Sequence, residues 1–267
     1  MAAPRRGLTT PVRLLLDPPR PGAWNMAVDE TLLEAARRGT VTLRFYGWTP
    51  GCLSLGRNQA ARGRYDLERL RHLGVDVVRR PTGGRAVYHD REVTYSVTAP
   101  VRDLGSLAES HAKINAALAN GLRRLGVPAT VAARSAGTRP PRPSLRACFR
   151  DPLPGEVVAE GRKLVGSAQW RDAGALLQHG SILLYDDQSL TEAVSATGPR
   201  SPRIGAACLA SLLPAPPRPE IVVDRLREGF AHVFEDVPEP EELRRTERRR
   251  ASELEANYRD PAWTWRR

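Results

Sequence analysis

Alternating apolar and polar positions predict short strands at Val12–Leu16, Val41–Tyr46 and Cys52–Leu55, and again at 75–79, 86–88, 93–98 and 130–133. Over 24–38 the period changes. Met26, Val28, Leu32, Leu33 and Ala36 recur at helical spacing, and Gly39 supplies a stop. Segments 65–73, 107–125, 190–195, 207–213 and 221–234 read as helices in the same way, and 239–258 as a highly charged helix on the outside. The strands at 41–46 and 52–55 flank a turn at Pro50-Gly51, and those at 86–88 and 93–98 alternate like a pair. Segments 157–160, 163–169 and 175–185 read as antiparallel strands. This order predicts an α+β fold, a mixed or antiparallel central sheet flanked by helices. Residues 12–213 form the main domain, the Pro-rich stretch 214–219 a linker, and 220–267 a small helical C-terminal segment. The Pro-, Arg- and Ser-rich stretch 134–146 reads as a long surface loop.

Composition narrows the class. The chain has 267 residues, 41% hydrophobic and 27% charged, as a globular protein does. No apolar run reaches the ~18 residues of a membrane span. The first ten residues lack the apolar stretch of a signal peptide, so a cytoplasmic location is expected. The net charge of +11 favours acidic partners, either nucleic acid or acidic carrier proteins. Aromatic residues make up 6%, and no nucleic-acid-binding motif is present, which argues against a nucleic-acid module. Of 41 basic residues only Lys113 and Lys163 are lysine. A retained lysine hints that an ammonium is needed there. Lys113 falls on a helix with an ordinary solvated face, whereas Lys163 falls in a strand-like stretch between Gly161 and Gly166.

Cys52, Cys148 and Cys208 show neither CxxC spacing nor pairing with histidine, so neither a disulfide framework nor a zinc site is expected. Cys52 and Cys208 lie in apolar contexts that suit core thiols. Cys148 follows the Arg-rich loop and lies between Arg146 and Arg150. Nearby positive charge favours the nucleophilic thiolate, although a spectator thiol on a loop fits the local context as well.

The densest chemistry is Arg79-Arg80-Pro81-Thr82-Gly83-Gly84-Arg85-Ala86-Val87-Tyr88-His89-Asp90. Paired glycines there permit positive φ and close approach of a ligand or backbone, or simply a tight turn. The string resembles the RRxxGG…HD signature of the lipoate/octanoate protein ligase and transferase family, which is related in fold to biotin protein ligase. Further matches follow in order across roughly 12–185: Asn25-Met26-Ala27-Val28-Asp29-Glu30, Arg44-Phe45-Tyr46-Gly47-Trp48, Leu55-Gly56-Arg57-Asn58-Gln59, Gly161 to Gln169, and Gln178-His179-Gly180-Ser181-Ile182. Ligases of this family usually carry a third glycine where this chain has Arg85, and a Gly-Asn after the HD pair that is absent here. Both departures resemble the octanoyltransferase branch, as does Ala147-Cys148-Phe149 ahead of the lysine strand.

The resemblance implies catalytic roles for Cys148 and Lys163. It implies substrate contacts at Arg79, Arg80, Gly83, Gly84, Arg85, His89, Ser167 and His179. Cys148 would take octanoyl from octanoyl-acyl carrier protein and pass it to a lysine of a lipoyl domain, the glycine-cleavage H protein being the expected acceptor. Neither ATP nor a metal is expected as cofactor, because a thioester is already activated. Lys163 would stabilise the oxyanion or help deprotonate the incoming amine. Arg79 and Arg80 would meet a phosphopantetheine phosphate or form a solvated or salt-bridged pair. His89 and His179 fit either the acyl site or strand packing. An ATP-dependent ligase and an octanoyl amidotransferase between lipoyl domains are the neighbouring alternatives.

Overall fold

The structure, a computed structural model, describes residues 10–133, 149, 153–196, 205–234 and 238–267. In chain order the elements are β1 (Val12–Leu16), α1 (Gly22–Arg37), β2 (Val41–Tyr46), β3 (Cys52–Leu55), α2 (Leu67–His72), β4 (Asp76–Arg79), β5 (Val87–His89), β6 (Glu92–Pro100), α3 (Val101–Leu104), α4 (Leu107–Arg124) and β7 (Ala129–Val131). Then follow β8 (Val157–Ala159), β9 (Arg162–Lys163), β10 (Val165–Asp172), β11 (Ala175–Leu183), α5 (Ser189–Ala193), α6 (Leu209–Leu212), α7 (Pro219–Phe234), β12 (Pro240–Glu241), α8 (Arg245–Arg259) and α9 (Pro261–Thr264). The main sheet has the order β10-β11-β6-β2-β1-β12. β1 runs parallel to β2 and β12, while β2, β6, β11 and β10 pair antiparallel, so the sheet is mixed as expected. Two small sheets, β4-β3-β5 and β7-β8-β9, complete the fold.

β2 shows how the sheet separates two chemistries. Val41, Leu43 and Phe45 point to one face and join Tyr95, Val97, Ile114, Leu118, Leu226 and Phe230 in the largest apolar core, under α4 and α7. Thr42, Arg44 and Tyr46 point to the other face, under α1, and are buried as well. Covering both faces is what makes every residue of β2, β6 and β11 buried. α4 starts at a capping box: Ser106 Oγ accepts from the Glu109 N–H at 3.3 Å, and Glu109 accepts from the Ser106 N–H at 2.7 Å. No helix among the described residues is long and apolar enough to cross a membrane.

Several expected local pairings are replaced by long-range ones. The strands either side of Pro50-Gly51 belong to different sheets, because β2 pairs with β1 and β6 while β3 pairs with β4 and β5. β5 and β6 likewise do not pair with each other. The strand expected over 163–169 divides at Leu164. β9 closes a hairpin with β8, and β10 joins the main sheet. The helix expected over 207–213 shrinks to Leu209–Leu212.

The C-terminal segment 220–267 is no appendage. α7 packs on α4, β12 adds a parallel strand to β1, and α8 lies along α1 with Ala251, Leu254 and Tyr258 buried. Buried Arg13 of β1 pairs with Glu247 of α8 at 2.7 Å. The segment therefore shares the core of 12–213, and the Pro-rich 214–219 stretch leads into it. The loop expected over 134–146 lies outside the described residues.

α4 and α7 cross backbone to backbone. A Cβ on Gly229 would lie 2.4 Å from the Ala117 carbonyl oxygen and 2.5 Å from the Gly121 nitrogen. Gly229→Val is expected to destabilise the protein by about 2–3 kcal/mol by prising this core open, as read by urea unfolding. An unchanged midpoint would contradict the close crossing.

Candidate active site

The polar face of the main sheet is organised around Asp29. This residue lies on α1 and is fully buried. Its Oδ1 accepts from Arg44 Nη1 of β2 at 2.8 Å and from Ser96 Oγ of β6 at 2.9 Å. Its Oδ2 accepts from Tyr46 OH at 3.0 Å and faces His179 Nδ1 of β11 at 2.9 Å. Burial alone would raise the Asp29 pKa, but the His179 hydrogen bond and the Arg44 charge hold it below the usual carboxylate range. Burial lowers the His179 pKa and outweighs the pull of Asp29. The imidazole is thus neutral, with Nδ1–H donating to Asp29 and Nε2 accepting from Thr82 Oγ1 at 2.7 Å.

Thr82 opens the Gly-Gly loop, so this chain of contacts anchors the loop to the sheet. Arg80 holds its other side. The guanidinium donates to the carbonyls of Gly83 at 2.8 Å, Arg85 at 2.7 Å and Ser54 at 3.0 Å. Gly84 takes φ of 100°, a conformation open to glycine. A second buried cluster lies beside the loop. His89 Nε2 meets Ser54 Oγ at 2.7 Å, and His89 Nδ1 meets Glu92 Oε1 at 2.9 Å. Ser181 and Thr94 hydroxyls donate to the same Glu92 oxygen. Trp48 stacks on the His89 ring at 4.1 Å and donates its Nε1–H to Thr94.

Several of these groups line one cleft between the main sheet, β3 and the Gly-Gly loop. Its wall comprises Met26, Tyr46, Trp48, Ser54, Arg80, Gly84, Val87, His89 and Thr94, with Gly166, Ser167 and Ala168 of β10 and His179, Gly180 and Ser181 of β11. Most of its polar side chains hydrogen-bond one another or the backbone, so their carbon faces and the apolar side chains are free to meet a ligand.

Lys163 stands at the junction where β9 leaves the hairpin for the main sheet. Its side chain is buried, and Nζ lies 2.6 Å from Glu156 Oε1. Nζ is also 5.6 Å from the centre of the Phe149 ring. Phe149 is buried with Val87, Leu183, Ala206 and Cys208, and its ring covers Gly166, where a Cβ would come within 2.7 Å. The ring therefore links the lysine to the cleft wall. His111 of α4 lies within electrostatic reach of both Glu156 and Lys163. Burial holds its pKa below the usual range, Lys163 adds to this, and Glu156 opposes it.

The structure brings Arg80, Gly84, His89, Ser167 and His179 to the cleft. Lys163 is adjacent through Phe149. Gly83 has open space around its missing side chain, and Arg85 meets Arg80 through its carbonyl. Arg79 is not at the cleft. Its guanidinium turns to the carbonyls of Gly56 at 2.6 Å, Gln59 at 2.9 Å and Thr264 at 2.8 Å. Neither arginine is part of a solvated pair, since both are buried. Cys148 lies outside the described residues. Cys52 and Cys208 are free and buried, and burial pushes the Cys52 thiol pKa well up. Sequence reasoning did not single out Glu156, Trp48 or Glu92. The signal for Glu156 was a carboxylate seven residues before a rare lysine, across a hairpin turn at Gly161.

The mixed sheet that carries this cleft and the buried lysine beside it has the fold of lipoate protein ligases of known structure. The protein superposes on a putative lipoate protein ligase from T. acidophilum with bound lipoic acid, with a TM-score of 0.77 and 25% identity over 95% of this chain and 98% of that one. It superposes equally on lipoate-protein ligase A bound with ATP, with a TM-score of 0.78, 25% identity and the same coverage. Residues 21–231 match the lipoyl protein ligase A/B catalytic domain, and the chain belongs to that family. Among its relatives is octanoyltransferase LipM of Kyrpidia tusciae, 45% identical over 92% of this chain and 95% of the relative. Octanoyltransferase LipM of Symbiobacterium thermophilum is 39% identical over 96% and 98%.

The Asp29–His179 pair carries a pH signature. Both folded pKa values lie below the ordinary ones, so the unfolded chain binds more protons and acid favours it. The His179 contribution is complete above pH 6.5 and is lost as pH falls through its lower folded value. The Asp29 contribution is complete above 3.8 and is lost below that. Thermal melts are expected to show a midpoint falling from pH 7 towards pH 5, with a smaller fall in His179→Gln. The same decline in both proteins would exclude His179 as its source.

Proposed function

We propose that the protein is a protein octanoyltransferase working through a Cys148 thioester. The Cys148 thiolate attacks the thioester carbonyl of octanoyl-acyl carrier protein. The tetrahedral oxyanion collapses and expels the carrier's thiolate, which takes up a proton. A lysine amine of a lipoyl domain, with the glycine-cleavage H protein as expected acceptor, then attacks the new thioester. The amine nitrogen forms the amide and loses its proton, and the Cys148 sulfur leaves. Relatedness to octanoyltransferases over more than nine-tenths of the chain supports this reaction class.

The observation that carries the mechanism is Lys163. A buried ammonium stands 5.6 Å from the ring of Phe149, the residue that follows Cys148 in the chain. In so dry a place its charge has a strong hold on an oxyanion at the thioester carbonyl. The cleft offers the acyl chain Met26, Trp48, Val87 and Ala168 between polar groups largely satisfied within the wall. His89 and His179 fix that wall, and Gly84 keeps the loop backbone bare beside the ligand. Arg79 takes no part in this reading, because its Nε and Nη1 donate to backbone carbonyls away from the cleft. A net charge of +11 suits acidic carrier and lipoyl domains.

Mass spectrometry after incubation with octanoyl-acyl carrier protein is expected to show one added octanoyl group on the wild type and none on Cys148→Ala. Transfer at the normal rate by Cys148→Ala would overturn the mechanism. Lys163→Ala is expected to slow Cys148 acylation by about 100- to 1,000-fold, with Lys163→Arg retaining more of the rate because it keeps the charge. Single-turnover kinetics measure both.

A further inference from the structure

We propose that Glu156 is the positioning residue that keeps Lys163 an oriented ammonium, so that the lysine acts by charge and not as a base. The inference rests on the role assigned to Lys163 above. Lys163 is 3% exposed and Glu156 7% exposed, with 2.6 Å between Nζ and Oε1. An ammonium at this depth is costly unless a carboxylate pairs with it, and without one it tends to shed its proton. The carboxylate is itself held in place. Glu156 Oε2 accepts from the Leu153 N–H at 2.8 Å, which leaves Oε1 for the lysine. The Glu156 carbonyl accepts from the Ala132 N–H at 2.8 Å, and Asn115 of α4 donates to the preceding Gly155 carbonyl at 2.6 Å. Lys163 is clamped from its own side, through its register with Val158 and through its carbonyl, which accepts from the Ala207 N–H at 3.0 Å.

The other described titratable groups near the pair are neutral or paired with one another. His111 on α4 is held neutral by burial. Glu160 and Arg162 on the hairpin pair with each other at 3.2 Å. Cys208 lies next to Ala207 and is a buried thiol. Glu156 is a carboxylate in direct contact with Nζ, at 2.6 Å, and replacing it should be read in the protonation of the lysine.

The test is the pH profile of Cys148 acylation by octanoyl-acyl carrier protein, measured in single turnover with the donor's KM. Glu156→Gln is expected to lower the maximal rate about tenfold or more with little change in KM. Its alkaline limb, where the ammonium is lost, is expected to move to lower pH by about one unit or more. Glu156→Asp should return the limb to its wild-type position at a reduced rate. An unshifted limb in Glu156→Gln, with or without a slower rate, would reduce Glu156 to a structural role and overturn the proposal. Should Glu156→Gln fail to fold, Glu156→Ala replaces it under the same criterion: an acid-shifted limb supports the proposal and an unshifted limb overturns it. Undiminished acylation in Lys163→Ala would mark a different failure, that of the role given to Lys163 itself.

Discussion

One buried carboxylate holds the polar face of the sheet together. Asp29 gathers side chains from β2, β6 and β11 onto α1, and its contact with His179 continues to Thr82 at the start of the Gly-Gly loop. A buried charge of this kind is no simple source of stability, because desolvation offsets much of the attraction. Its value lies in direction. Four partners leave Asp29 a single satisfied geometry, and each partner fixes the rotation or register of another element. Loss of any one would leave a polar group unpaired in a dry place, so the arrangement acts as a unit.

The cleft follows from that constraint. With the sheet face and the loop tied together, the space between them is bounded by groups that mostly hydrogen-bond among themselves, and Trp48 lies flat on His89 to close one side. A second, independent construction brings up the lysine. The β8–β9 hairpin ends at Lys163 and the chain passes at once into β10, so the residue belongs to the small sheet while its neighbours line the cleft. Phe149 sits against Gly166 between the two.

The basic composition changes meaning once the fold is known. Arg13, Arg44, Arg79 and Arg80 are all buried. They serve as multivalent donors to carboxylates and backbone carbonyls, a task suited to a flat guanidinium with five N–H groups. Part of the +11 charge is therefore interior architecture. The remainder is what an acidic partner would meet.

The sequence by itself determined the period of each strand and most helices, and the mixed, helix-flanked sheet those elements form. These depend on which face of a local segment is apolar, and that information is carried by residues two to four positions apart. The family was readable too, because several motifs recur in one order. What the tertiary structure alone decided were the partners. Arg79 and Arg80 are indistinguishable in the chain, yet Arg79 ends β4 and meets the C-terminal turn, while Arg80, just past the strand, cradles the glycine loop. The strands around Pro50-Gly51 look like a hairpin, but each pairs into a different sheet. Asp29 and His179 stand 150 positions apart, and only packing could show that they touch. Glu156 carried no motif of its own, and it became chemically legible when the hairpin placed it 2.6 Å from a lysine that the sequence had already marked as unusual.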